Sequence, residues 1–140
     1  MVCPVFASSP AQVGDKRKFN VALITLKAKG ATGELPGGDD LNGDALALAP
    51  DVTTISGAQK DATAIAAIQD ALTRTNADGK CCTSNASKIQ KFTILNRDFS
   101  SSTNELTPTL KTKRSVVEQM NAATIEKMYA SKDIYVPCED

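Results

Sequence analysis

Runs of apolar residues predict two β-strands in this chain. Residues 19–26 (FNVALITL) are mostly β-branched or aliphatic, alternate roughly between apolar and polar positions, and are flanked by charged residues. That pattern is typical of a partly buried strand. Residues 91–95 (KFTIL) form a second run of the same kind. We therefore expect a short sheet that contains both strands.

Two longer segments have apolar residues at three- and four-residue steps, which predicts amphipathic helices. The first covers residues 60–77 and the second covers residues 115–131. The positions predicted to pack are Ala64, Ile65, Ile68, Ala71 and Leu72 in the first helix, and Val117, Met120, Thr124, Ile125, Met128 and Tyr129 in the second. The order strand, helix, strand, helix predicts an α+β fold: a small mixed sheet with helices packed on one or both faces.

The connection between the first strand and the first helix has a different composition. Residues 30–43 contain five glycines and a proline, which predicts a surface loop that cannot pack a core. Residues 45–49 predict a short helical turn that ends at Pro50, and residues 52–55 predict a brief extended piece. We expect a flexible loop over about residues 28–58, within a single domain that spans residues 1–140.

Length and charge limit the classes of function. A chain of 140 residues is long enough for one modest core. The sequence contains 16 Lys and Arg against 16 Asp and Glu, so net charge gives no reason to expect a nucleic-acid partner. No stretch of 18 apolar residues occurs, and the N-terminus does not resemble a signal peptide. No membrane span is expected.

The cysteines do not predict a metal site or a disulfide framework. The chain has four cysteines and no histidine, and Cys81 and Cys82 are adjacent rather than spaced for zinc. Free thiols are the expected state, which favours an intracellular, reducing compartment and leaves cytoplasm and organelle both open. Catalysis by histidine is excluded.

Two clusters of cations are candidate anion-binding segments. Residues 107–114 (TPTLKTKR) combine a proline with three cations, and residues 15–18 (DKRK) precede the first strand. A proline-braced loop limits backbone freedom and can present a lysine to phosphate or carboxylate oxygens. Spacing alone does not separate this interpretation from a solvated charged surface, which is the more common explanation of such runs.

Four blocks of the sequence occur in an informative order. They are VGDKRKF at residues 13–19, TGE at 32–34, AAIQDALTRTN at 66–76, and SNASKIQKFTILNRDFSSSTNELTPTLKTKRSVVEQMNAATIEKMYAS at 84–131. These blocks resemble the closing part of eukaryotic-type long-chain acyl-CoA synthetases of the AMP-forming ligase superfamily, most closely the bubblegum branch. The resemblance implies the fold of the C-terminal lid domain of adenylate-forming ligases, here truncated at its start.

The resemblance also implies roles for particular residues. In this family the small lid domain swings between one pose for adenylation and another for thioester formation. A lid lysine stabilises negative charge as the fatty-acid carboxylate attacks the α-phosphate of ATP. By motif position Lys111 matches that lysine, and Lys113 is the second choice. The cofactor-facing cations would be Lys16, Arg17, Lys18 and Arg114. ATP, magnesium and CoA are implied for the complete enzyme, and none is expected to bind the lid alone.

Departures from the family leave two functions open. The ATP-binding domain and the hinge are not present in this sequence, Asn104 replaces the usual glycine before Glu-Leu, and Met120 stands where tyrosine is common. The favoured hypothesis is a non-catalytic accessory or structural subunit of a larger assembly. The alternative is a ligase lid that supplies the adenylation lysine when joined to an ATP-binding domain. Both imply a protein partner and an inert isolated chain; a separate small-molecule binder is a third hypothesis.

Overall fold

The computed structural model describes residues 11–13, 19–35, 37–47, 49, 51–79, 84 and 88–138. Its elements are β1 (Ala11–Val13), β2 (Asn20–Ile24), a 3₁₀ helix (Gly43–Ala47), α1 (Ile55–Lys60), α2 (Ala62–Ala77), β3 (Ile89–Ile94), α3 (Arg114–Met120) and α4 (Ala122–Ala130). The predicted α+β class is confirmed. Both predicted strands and the first predicted helix are present within a few residues of their expected bounds.

The three strands form one mixed sheet in the order β1-β2-β3. Strand β1, which the sequence pattern did not predict, pairs antiparallel with β2, whereas β2 pairs parallel with β3. Because parallel neighbours need a crossover connection, α1 and α2 lie between β2 and β3 in the chain. Beyond β3, Tyr135 forms a parallel bridge with Phe92, which extends the sheet by one short segment.

Helices cover both faces of this sheet, so there are two apolar clusters. The first cluster joins Ala22, Ile24, Phe92 and Ile94 of the strands to residues of α1 and α2 such as Ile55, Ile68 and Leu72. The second cluster joins Val21 and Leu23 to Val117, Ile125 and Met128 of α3 and α4 and to Phe99. Strand β2 is therefore buried on both faces, and the expectation of a partly buried strand is wrong at Val21–Ile24 because those four residues are all buried.

The second predicted helix is broken into two. Helix α3 ends at Met120 and α4 begins at Ala122, with Asn121 between them at φ −111° and ψ 19°. The Val117 carbonyl accepts both from the Asn121 backbone amide at 3.1 Å and from the Asn121 side-chain amide at 2.8 Å, and side-chain bonding of this kind competes with regular helical pairing. This break ends the single apolar stripe, and Met120 is 49% exposed. Its prediction as a packing residue is wrong.

The segment before α2 contains a helix that the sequence pattern missed. The extended piece predicted at residues 52–55 is present as far as Thr54, which has φ −128° and ψ 156° and bridges Asp40, whereas Ile55 already begins α1. Thr54 is the N-cap of α1, and its hydroxyl accepts from the Gly57 amide at 3.0 Å. Asp61 then ends α1 and caps α2, accepting from the Ala64 amide at 2.9 Å. The two caps explain why Lys60, the predicted start of the first predicted helix, belongs instead to the end of α1.

The glycine-rich connection follows the surface, yet it contributes to the core. Leu41 is fully buried, although the composition of residues 30–43 predicted no core packing. Its amide donates to the Thr53 carbonyl at 2.8 Å, and the Lys29 amide donates to the Asp40 carbonyl at 2.8 Å. Backbone pairing across the loop places this one apolar side chain inward. No helix among the described residues combines the length and the apolarity needed to span a membrane.

Candidate functional site

The cationic motif lies on a short hairpin-like loop, residues 105–113, which we call the lysine loop. Leu106 and Thr112 form an antiparallel bridge at its base. Within the loop the Thr107 amide donates to the Lys111 carbonyl at 2.8 Å, and the Leu110 amide donates to the Thr107 carbonyl at 2.8 Å. The resulting tight turn has Pro108 at its second position, where the fixed φ of proline is favourable. The loop therefore holds Lys111 on a defined backbone.

Leu110, the residue before Lys111, has an unusual conformation. Its φ is 63°, a left-handed conformation that few residues other than glycine and asparagine adopt. Its side chain packs against Gly33, where an added Cβ would be 2.7 Å from Leu110 Cδ2. Gly33 belongs to the TGE block, so this block forms one wall beside the lysine loop.

Backbone hydrogen bonds fix the TGE block in that position. The Ser101 amide donates to the Gly33 carbonyl at 2.8 Å, and the Ser102 amide donates to the Glu34 carbonyl at 3.0 Å. Ser101 and Ser102 follow directly on the RDFS sequence. The TGE block and the RDFS sequence, which are separated by about sixty residues of chain, thus meet at the lysine loop.

A buried carboxylate anchors the base of the loop. Glu105 is 3% exposed, and its Oε1 accepts from Arg97 Nη1 at 2.6 Å and from Thr103 Oγ1 at 2.5 Å. The Glu105 carbonyl also accepts from the Lys113 amide at 2.8 Å. One residue therefore connects the RDFS segment, through Arg97, to both arms of the lysine loop.

The predicted site residues have different surroundings. Lys111 is exposed, and among the described residues none forms a hydrogen bond or an ion pair with its ammonium group. Lys113 is half-buried, and its Nζ donates to Asn104 Oδ1 at 2.6 Å. Arg114 is exposed and begins α3. These three cations lie within four consecutive residues, which gives this part of the chain a local positive charge suited to an anionic ligand.

Another predicted cluster lies outside the described residues. Lys16, Arg17 and Lys18 are in this group, as are three of the cysteines, Cys3, Cys81 and Cys82. Cys138 is described and is a free thiol. Within the described part of the chain, no three His, Cys, Asp or Glu residues come together in a way that would hold a metal ion.

Three residues of this site were not predicted as site residues from the sequence: Gly33, Asn104 in its structural role, and Glu105. Asn104 has φ 66°, which explains how it replaces the glycine usual in the resembled motif, since asparagine tolerates this conformation. The sequence contains one signal for Glu105. It is an acidic residue eight positions after Arg97, at the end of a stretch that contains serine and threonine. Nothing in the local pattern indicates that Gly33 contacts Leu110.

Comparison with known proteins shows which proteins this chain is similar to. The chain is 39% identical over 144 residues to the long-chain-fatty-acid–CoA ligase ACSBG2 of Gallus gallus, and the match covers 99% of the chain and 18% of that protein. It is 36% identical to the ligase FadD15 of Mycobacterium tuberculosis, covering 87% of the chain and 18% of the relative. This chain is a relative of the long-chain acyl-CoA synthetases. The resemblance to their C-terminal domain is confirmed.

A third relative extends the comparison to insects. The long-chain-fatty-acid–CoA ligase heimdall of Drosophila melanogaster is 32% identical over 143 residues, covering 84% of the chain and 21% of that ligase. No protein-family model matches the chain, and no solved structure matches it. The chain spans about a fifth of the length of these acyl-CoA synthetases.

Proposed function

We propose that this chain is the lid region of a long-chain fatty acid–CoA ligase, and that Lys111 supplies the adenylation cation when the lid is joined to an ATP-binding domain. The observation that carries the proposal is the exposed ammonium of Lys111, which no described residue holds, on a loop whose backbone is fixed by the turn at Thr107 and by Glu105. The relatives over this same stretch are named long-chain-fatty-acid–CoA ligases.

The proposed chemistry suits a lysine. In adenylation a carboxylate oxygen attacks the α-phosphate of ATP, the bond to pyrophosphate breaks, and negative charge increases on the phosphoryl oxygens. A compact ammonium group near those oxygens stabilises the transition state more than the separated reactants. Lys111 needs no release from a protein partner among the described residues before it contacts an anion. The constrained loop lowers the entropy lost when the lysine is positioned.

Other implied components have less support within this chain. The described residues do not fit a magnesium site, and no step proposed here depends on one. Arg114, one residue beyond the lysine loop, is proposed to add to the attraction for phosphate. The same role for Lys16, Arg17 and Lys18 stays a prediction. ATP and CoA are proposed as ligands of the complete ligase.

The preference for an accessory subunit is therefore reversed. That hypothesis depended on segments outside this sequence, whereas the named relatives are ligases. The partner we propose is accordingly an ATP-binding ligase domain. The lid function gives a chemical role to Lys111, which is exposed and which no described residue holds.

A chimeric ligase tests this proposal. The chain would replace the matching segment of the Gallus gallus relative, to which it is 39% identical, and fatty-acid-dependent pyrophosphate release would be measured. We expect Lys111→Ala to lower the rate by about 10² or more, the range seen when one charge-stabilising donor is removed. Lys132→Ala is the matched control, because Lys132 is also exposed but lies after α4. Equal rates for the two variants would contradict the proposal.

A further inference from the structure

Lys111 and Lys113 lie two residues apart on one arm of the lysine loop. They flank Thr112, whose bridge to Leu106 shows that this arm of the lysine loop is extended. Because side chains alternate along an extended backbone, residues two apart lie on the same face. The motif therefore places two ammonium groups on one side of the loop, although the proposed reaction needs only one.

Only one of these ammonium groups is tied to the protein. Lys113 Nζ donates to Asn104 Oδ1 at 2.6 Å, a short charge-assisted hydrogen bond. No described residue holds the Lys111 ammonium in this way. The ammonium group of Lys113 is thus restrained and that of Lys111 is not restrained by any described residue. The restraint comes from one side chain, the amide of Asn104 at the base of the loop.

The backbone at Asn104 makes this tether possible. Asn104 has φ 66°. Its backbone amide donates to the Ser101 carbonyl at 3.0 Å, which closes the turn before Glu105. Glycine would adopt this conformation as readily and would have no side chain to accept from Lys113. Alanine would be disfavoured at this positive φ and would also have no side-chain acceptor. Asparagine tolerates this conformation and also provides a side-chain oxygen that accepts from Lys113.

We propose that Asn104 is a positioning residue that restrains Lys113, so that of these two lysines Lys111 is the one whose ammonium group no described residue holds. The inference rests on the proposed function for its effect on adenylation, but the tether itself can be tested without activity. Asn104 would select which of two neighbouring lysines meets the substrate phosphate.

Amine labelling tests the tether in the chain itself. Limiting acetic anhydride acylates free amines, and mass spectrometry reports the extent at each lysine, with Lys132 as the exposed reference. We expect Lys113 to be labelled more slowly than Lys111, and Asn104→Gly to raise Lys113 labelling about fivefold, as expected for loss of a hydrogen bond worth about 1 kcal/mol. Equal labelling of Lys111 and Lys113 in the unaltered chain would overturn the proposal.

Asn104→Asp gives an independent arm, in case the glycine variant does not fold. Aspartate also tolerates the left-handed conformation, and its carboxylate would hold the Lys113 ammonium more strongly than the amide does. Labelling at Lys113 is expected to fall further relative to Lys132. Unchanged or faster labelling in this variant would overturn the tether.

Activity of the chimeric ligase separates this inference from the proposed function. Lys111→Ala alone should be nearly inactive, whereas Asn104→Gly combined with Lys111→Ala should recover threefold to tenfold, roughly the value of one such hydrogen bond. Adding Lys113→Ala should remove that gain. An active Lys111→Ala variant would refute the proposed function, and the labelling result would still decide the tether. An inactive variant without recovery would refute the selecting role of Asn104.

Discussion

Gly33 lies directly against the side chain of Leu110, so closely that a Cβ at Gly33 would be 2.7 Å from Leu110 Cδ2. Both residues have positive φ, 86° for Gly33 and 63° for Leu110. The contact joins the TGE block to the lysine loop at the residue before Lys111. Two left-handed residues, one of them unfavourable, therefore set the position of the lysine that we propose to act in adenylation.

We expect Gly33→Ala to destabilise the chain by roughly 1–2 kcal/mol, the cost of a left-handed conformation for a residue with a Cβ. The steric conflict adds less, because the end of the Leu110 side chain is half exposed and can move. Urea denaturation followed by circular dichroism measures the change. Gly38→Ala is the matched control: nothing lies within 4 Å of its added Cβ, and no loss of stability is expected.

Replacing Glu105 tests the anchor of the lysine loop. Glu105→Ala leaves Arg97 and Thr103 without their shared acceptor, and we expect a loss of about 1.5–3 kcal/mol, the value of hydrogen bonds to a charged group. Glu105→Gln should lose less, since its amide oxygen still accepts. The exposed Glu34→Gln is the control and should change the free energy of unfolding by less than about 0.5 kcal/mol. Similar losses in all three variants would contradict the anchoring role.

Strands β2 and β3 and the helix α2 could be predicted because their signals are local. The apolar positions of α2 repeat at helical spacing, and Ala64, Ile68, Ala71 and Leu72 are buried as predicted. The continuous apolar character of β2 is explained by burial on both faces. A short central strand with neighbours on either side needs little information beyond its own sequence.

The remaining elements depend on contacts that a local pattern does not contain. The last predicted helix is interrupted at Asn121, whose side chain also donates to the Val117 carbonyl, and α1 begins where the Thr54 hydroxyl caps it. Leu41 is carried into the core by backbone pairing with Thr53 across the loop. In each case a hydrogen bond from one polar side chain, or backbone pairing with a residue distant in the sequence, outweighs the average secondary-structure preference of the segment.

The candidate site was predictable only in part, through the family resemblance. That resemblance gave Lys111, with Lys113 as the second choice, and these assignments stay predictions. The geometry that distinguishes the two lysines depends on Asn104 and its positive φ. A backbone angle of this kind is not visible in composition or periodicity, so the difference between the two lysines needed the structure.

Thr93 offers a test of the sheet's interior. Its side chain is fully buried in β3, and its hydroxyl finds no hydrogen-bond partner in the described part of the chain. Because an unsatisfied buried hydroxyl is unfavourable, we expect Thr93→Val to raise the free energy of unfolding by about 1 kcal/mol. Thr93→Ala removes the same hydroxyl but leaves a cavity, so it should be less stable than the valine variant by at least about 1 kcal/mol. A destabilised valine variant would show that the hydroxyl is satisfied.

Tyr135 connects the C-terminal segment to the rest of the fold. Its hydroxyl donates to the Gln59 carbonyl at the end of α1 at 2.9 Å, and its ring packs against Phe92 with centroids 5.3 Å apart. Burial, and to a smaller extent the nearby Cys138, raises the pKa of Tyr135 to about 12. The phenol is therefore protonated at neutral pH and remains a donor.

This raised pKa predicts a loss of stability in base. Between the ordinary tyrosine pKa of about 10 and the folded value, the folded chain binds more protons than the unfolded chain, so the free energy of unfolding falls as pH rises. Tyr135→Phe lacks this group, and all other residues are the same in both proteins. We expect the stability advantage of the unaltered chain over Tyr135→Phe to be constant below pH 10 and to shrink as the pH approaches 12. Urea denaturation at pH 8, 9, 10 and 11 measures this difference, and an advantage that stays constant through pH 11 would contradict the prediction.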